Sequence, residues 1–303
     1  MVGATTLVGI FDRGRAMAGY RTGLRRAAQW ALLGGRIIAA RLYNWLPTEP
    51  YLKGAYVSYE AAMASRRDGR MAGYDHPELM TAEHVNRMSV ILSWDYAILF
   101  WLDRLLPLVD RLIDAGGHVG TKYRAFRSVL EIKPDFEWII LEIPSAVEQG
   151  RLLAEREGLD SLRFETEACE TPPADLLLAS GLLQYYPGEF SVLLRQLPKL
   201  PTHVLVNKVA VRSGRAVFTM QKIGPSRVPY QIRDRQAFLD DVRSLGYEIV
   251  HEWDIPQLAH TIPTHPELGA SQSAGFYFRR TGASAPTPDP RLKAESAGWF
   301  RVD

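Results

Sequence analysis

Residues 107–126 read PLVDRLIDAGGHVGTKYRAF. Val109, Leu112 and Ile113 supply the apolar content of a short buried strand, and Asp114 closes it. Gly116, Gly117 and Gly120 follow, and Thr121 to Phe126 is compatible with a helix. A strand that turns through glycines into a helix N-terminus brings backbone N–H groups up to a bound anionic or nucleoside ligand. Gly116 and Gly117 let the backbone turn tightly and approach that ligand with no Cβ in between. Gly120 lets the helix pack closely on the strand. His118, inside the turn, is a further candidate, facing the bound ligand or a second substrate.

Downstream, strands and helices alternate. Buried strands are expected at Phe136–Ile143, Ser161–Phe164, Asp175–Ser180, His203–Val209, Tyr247–Glu252 and Gly275–Arg280. Helices are expected at Ala146–Glu157, from about Gly188 to Gln196, and at Asp234–Ser244. Such alternation predicts a mostly parallel α/β sheet with helices on both faces. The last two strands read as an antiparallel hairpin.

Upstream, residues 1 to about 106 read as helical and loop-rich. Arg13 to Thr48 holds seven arginines and no acidic residue. On a helix from Arg21 to Leu46, the residues Ala31, Ile38 and Leu42 share one apolar face with Leu24, Ala27, Trp45 and Leu46, flanked by Arg21, Arg25 and Arg36. Docking of that face on the core is one expectation; attraction to an anionic membrane surface, as a peripheral contact, or to a phosphate-bearing substrate is the other. Ser58 is placed to cap a helix through Met63, Arg66–Gly73 reads as a charged loop, and Glu83–Leu106 as a long helix ended by Pro107. Residues 281–303 are rich in Pro, Ala and Ser and read as a loosely packed tail.

Composition narrows the function classes. The chain has 303 residues, is 47% hydrophobic and carries a formal net charge of +2, too small to argue for a nucleic-acid partner. A single cysteine, Cys169, excludes an internal disulfide and a cysteine-based zinc cluster, so a cytoplasmic setting is expected. No run is long and apolar enough to span a membrane, and Asp12 and Arg13 interrupt the only stretch with a signal-peptide look. No carboxylate–histidine spacing suits a metal.

Spacing then sharpens the reading. Glu142, 22 residues beyond Gly120, ends the second strand beside the glycine turn, where a carboxylate accepts both ribose hydroxyls of a nucleoside. NAD and S-adenosylmethionine share that geometry. Asp114, ahead of the glycines, favours the second: it would accept from a methionine ammonium and would repel a pyrophosphate. The terminal hairpin also suits a seven-stranded methyltransferase sheet better than a dehydrogenase.

The Asp114–Gly120 run DAGGHVG, the LEIP strand end at 141–144, and ADLLLASGLLQYYP at 174–187 together resemble the class I S-adenosylmethionine-dependent methyltransferases. More narrowly, LKGAYVSYEAAM, AGYDHPEL, SGLLQYYP, VNK…FTMQKI and SAGFYFRR resemble a bacterial group of such proteins found with surface-polysaccharide and glycoconjugate biosynthesis genes. The resemblance spans roughly residues 50–280. It implies a doubly wound, seven-stranded Rossmann-like domain at 107–280, with 1–106 as a helical N-terminal cap. It also implies the cofactor S-adenosyl-L-methionine. Asp114, Gly116, Gly117 and Gly120 would cradle the methionine part, Glu142 with Ile143 the ribose, and the Glu165–Thr166 turn would lie near adenine. Ser180 and Gln184 would sit under the methionine and sulfonium. The loop ETEACETPP departs from the common pattern, lacking an aspartate–small residue pair.

Methyl transfer from a sulfonium needs an aligned nucleophile, and a hydroxyl acceptor also needs a base. His260 is the expected catalytic base. Tyr185, Asn207, Gln221 and His265 are expected to bind the acceptor, a sugar, glycan or other small molecule methylated on oxygen or nitrogen. The alternatives are a non-catalytic scaffold of the same fold and an NAD-dependent oxidoreductase.

Overall fold

The computed structural model describes residues 31–42, 50–65, 85, 89–223 and 226–282. The core is a parallel run. β2 (Arg111–Ala115), β3 (Glu137–Leu141), β4 (Leu162–Glu165), β5 (Leu176–Ser180) and β6 (His203–Arg212) lie side by side in the order β4-β3-β2-β5-β6. All four of those pairings are parallel. β10 (Gln272–Arg280) adds antiparallel to β6, and β9 (Tyr247–Asp254) pairs antiparallel with β10, so the expected terminal hairpin is present.

Alternation along these strands feeds two cores, one on each face. Ile113, Ile139, Leu177, Val204, Val206, Phe276 and Phe278 bury one side of the sheet against Phe190, Leu193 and Leu194 of α5 (Phe190–Gln196) and Phe238 and Val242 of α6 (Arg235–Arg243). Their neighbours Leu112, Trp138, Ile140, Leu178, Leu205 and Tyr277 face the other side. There they meet α2 (Tyr96–Leu105), α3 (Thr121–Phe126) and α4 (Pro144–Glu157). A period-2 strand with both faces apolar can be satisfied only by helices above and below it. The doubly wound α/β reading holds.

The strand count does not. Among the described residues the sheet has ten strands, because β1 (Leu52–Tyr56), β7 (Val217–Ile223) and β8 (Ser226–Asp234) extend it beyond β6. β7 pairs antiparallel with both β1 and β8, and β8 touches β6 only at Val211↔Arg233 and Arg212↔Asp234. Pro229 argues against a strand in the sequence. It is tolerated because that stretch of β8 has β7 alone as its neighbour, facing Met220.

The N-terminal stretch also departs from the helical expectation. Leu52–Tyr56 is a strand, and the helix expected over Glu83–Leu106 breaks: Leu92 is extended, Ser93–Asp95 is a 3-10 turn, and α2 starts at Tyr96. The Asp95 carboxylate caps the start of that turn by accepting from Leu92 N at 3.0 Å. Ser58 does cap α1 (Tyr59–Ala64), accepting from Ala61 N. Residues 31–42 are helical, yet Ala31, Ile38 and Leu42 of the expected docking face are exposed. Leu33, Ile37, Ala40 and Arg41 lose surface instead, and Arg41 donates to Thr264 O. The rest of the Arg21–Leu46 helix, the Arg66–Gly73 loop and the tail beyond Gly282 lie outside the described residues. Among the described residues no helix is long and apolar enough to cross a membrane.

Candidate functional site

The carboxyl ends of β2, β3, β5 and β6 converge on one edge, where an open α/β sheet binds ligands. Asp114, on β2, is 1% exposed and accepts from Trp138 Nε1 at 3.0 Å. It forms the floor of the glycine turn: a methyl group at Gly117 would stand 2.8 Å from both its Cγ and its Oδ2. Burial pushes its carboxyl up to about 7; the Trp138 hydrogen bond, Lys122 and Lys208 pull the other way, and Glu142 adds to the rise.

The turn itself is built on left-handed backbone at Gly116 (φ +73°), His118 (φ +55°) and Gly120 (φ +84°). That geometry aims the His118 N–H at Glu142, whose Oε1 accepts at 3.2 Å, while Oε2 accepts from Ile143 N at 2.9 Å. Glu142 N in turn donates to Glu165 O at 3.1 Å, which seats the third strand end beside the second. Thr166 lines a groove of about 380 Å³ with Pro144, Val147, Glu148, Arg151 and Leu152. Asp114, the glycines, His118, Glu142, Ile143, Glu165 and Thr166 therefore fall on adjacent strand ends. Two further members, Ser180 and Gln184, close β5 and the loop after it. Ser180 Oγ and Gln184 Oε1 are buried without a hydrogen-bond partner among the described residues.

A buried cation fixes that loop. Arg233 of β8 donates to Leu183 O, Tyr186 O and Gly188 O at 3.0, 2.7 and 3.0 Å, and burial pulls its guanidinium down to about 10. Gln231 N donates to Gln184 O at 2.7 Å. The three added strands thus set the far wall of the site. Here Tyr185 donates to Gln221 Oε1 at 2.8 Å, Gln221 Nε2 donates to Tyr51 Oη, and the Tyr51 ring packs on His260 at 4.9 Å between centroids. Burial lowers the pKa of His260, so its ring is neutral at pH 7.

Tyr185, Gln221 and His260 are therefore brought together, and Tyr51 joins them unforeseen. Asn207 and His265 are not part of this group. The Asn207 amide is engaged by structure, donating to Trp94 O and accepting from Trp253 Nε1, both at 3.0 Å. His265 Nδ1 bonds Thr264 Oγ1 at 2.9 Å, and that hydroxyl also accepts from Gly54 N, so this histidine ties the loop to β1. One other group was not anticipated. Lys122, in the first turn of α3, places Nζ 2.7 and 2.8 Å from the two oxygens of Asp95, which is 0% exposed. Lys208, which beside Asn207 qualifies in the sequence as a candidate at a strand's carboxyl end, stands at the end of the parallel run.

Among the described residues no three His, Cys, Asp or Glu side chains gather as a metal site. No protein-family profile matches the chain, and no curated protein matches it in sequence. Solved structures do overlay on it. The N-terminal domain of EvdMO1, solved with SAH bound, is 15% identical, with a TM-score of 0.40 over 69% of this chain and 85% of that one. An S-adenosylmethionine-dependent methyltransferase from Clostridium acetobutylicum is 10% identical, with a TM-score of 0.41 over 62% and 91%. The [4+2]-cyclase SpnF is 16% identical, with a TM-score of 0.45 over 68% and 94%.

Proposed function

We propose that the chain is an S-adenosylmethionine-dependent methyltransferase acting on an oxygen, or a nitrogen, of a sugar or other small molecule. One observation carries this reading: a buried carboxylate, Asp114, lies directly under a glycine turn whose rim is held by a second carboxylate, Glu142. Two acids there suit a ligand with ribose hydroxyls on one side and an ammonium on the other. They oppose the pyrophosphate of a dinucleotide. Ser180 Oγ and Gln184 Oε1, unsatisfied among the described residues, fit such a cofactor. When bound, it supplies the electrophilic methyl group. The protein's part is to orient the acceptor and take its proton.

The wall formed by Tyr185, Gln221, Tyr51 and His260 supports the acceptor reading. It offers two phenol hydroxyls, an amide and aromatic rings, groups that suit a polyhydroxylated ligand. Neutral His260 is our proton acceptor. With labelled S-adenosylmethionine and a panel of free and nucleotide-linked sugars, His260→Ala is expected to slow transfer about 10²- to 10⁴-fold with cofactor affinity unchanged. Full activity in that variant removes His260 as the base; tight cofactor binding without transfer to any acceptor favours the scaffold alternative.

Glu142→Ala tests the ribose contact. Hydrogen bonds to a charged partner contribute about 1.5–3 kcal/mol, so S-adenosylhomocysteine should bind roughly 10- to 150-fold more weakly by titration calorimetry. A 2′,3′-dideoxy analogue should show little difference between variant and parent. Equal losses for both ligands would contradict the assignment.

A further inference from the structure

Midway along, β6 carries one residue more than β10: Val206 stands opposite Phe276, but Val209 stands opposite Ala274. The resulting bulge turns Lys208 to φ +61°, a left-handed conformation that a residue with a Cβ adopts at a cost. Gly275 sits against the bulge, where a methyl group would stand 2.1 Å from the Trp253 ring, and Trp253 is held by Asn207. The bulge is thus clamped from outside the site.

Its consequence is where it sends the lysine. Lys208 reaches the turn that follows β5, so that a methyl group at Gly181 would stand 2.9 Å from Lys208 Nζ and 3.6 Å from Gln184 Nε2. Gly181 (φ +92°) leaves room for the ammonium. Lys122 is held by both oxygens of Asp95, whereas Lys208 makes no hydrogen bond or ion pair among the described residues. Burial and the nearby Lys122 lower its pKa to about 8, with Asp95 and Asp114 opposing. It is therefore still charged at pH 7.

Among the described residues three groups around Gly181 thus lack hydrogen-bond partners: the Lys208 ammonium, Ser180 Oγ and Gln184 Oε1. An ammonium and a hydroxyl donate to a carboxylate; an amide oxygen accepts from an ammonium. The ligand chemistry complementary to all three is the zwitterionic end of an α-amino acid. We propose that Lys208 is the anchor for the carboxylate of the cofactor's methionine end, with Ser180 as co-donor and Gln184 receiving the adjacent ammonium. This rests on the S-adenosylmethionine reading and assigns to it a residue, Lys208, otherwise unexplained.

Calorimetric titration at pH 7 with S-adenosylhomocysteine and with 5′-methylthioadenosine, which lacks the amino-acid end, tests it. Lys208→Met is expected to weaken S-adenosylhomocysteine about 10- to 100-fold and leave 5′-methylthioadenosine unchanged, while Lys208→Arg keeps most of the affinity. Lys208→Gly, which relieves the left-handed strain, is expected to raise Tm by about 2–4 °C while showing the same selective loss. Unchanged S-adenosylhomocysteine binding in Lys208→Met overturns the anchor and leaves the cofactor reading intact; so does an equal loss for both ligands. Failure of the parent protein to bind S-adenosylhomocysteine overturns the cofactor reading itself, and the anchor with it.

Discussion

Lys122→Met is expected to destabilise the fold by about 3–5 kcal/mol in urea unfolding at pH 7. The cause is what it leaves behind. Asp95 is fully buried, and Lys122 hydrogen-bonds both of its oxygens, with Lys208 a more distant positive charge. With the ammonium gone, one backbone amide, Leu92 N, still donates to that carboxylate. An uncompensated buried charge costs more than the pair itself is worth, so Asp95→Leu combined with Lys122→Met should recover most of the loss. Additive losses in the double variant would show that the two side chains act independently. The pair joins the turn before α2 to the first turn of α3, directly behind the glycine turn. Ligand affinity should therefore fall in the single variant and return in the double.

The second large effect is a pH dependence from Asp114. Its carboxyl is held near 7 in the fold, chiefly by burial, against about 3.9 in an unfolded chain. Between those values the folded state holds the proton more tightly. Stability therefore falls as pH rises from about 4 to 7, by an amount on the order of 4 kcal/mol, and stays low above. Asp114→Asn keeps an acceptor for Trp138 Nε1 and has no proton to lose. It should match the parent at pH 4 and exceed it at pH 8 in urea midpoints. Parallel pH profiles for the two proteins would contradict a raised Asp114. The same group reports on the ligand: an incoming ammonium draws the carboxyl pKa down, so binding near pH 6.5 should release a proton into the buffer.

Much of this was legible in the sequence because the chemistry was local. A strand, an acid and three glycines in succession fix a tight turn, and Glu142 at its distance falls on the next strand end whatever the details of packing. The two-faced apolar strands likewise specify helices on both sides. What was not legible depends on pairing between distant residues. Val217–Asp234 forms two strands despite Pro229, because β8 has a free flank there. Leu52 becomes strand by pairing with Gln221, far along the chain. Asn207 looks like a substrate ligand at a strand end, but Trp94 and Trp253 engage both ends of its amide. Lys208 gains its role from a bulge that only the β6–β10 register reveals.

The cofactor assignment is tested most directly by calorimetric titration of the full chain with S-adenosylmethionine, S-adenosylhomocysteine and NAD. Micromolar binding of the two adenosyl ligands, with proton release near pH 6.5 and no heat from NAD, is the expected result. Binding of NAD alone would contradict the account, because it would place a pyrophosphate over Asp114.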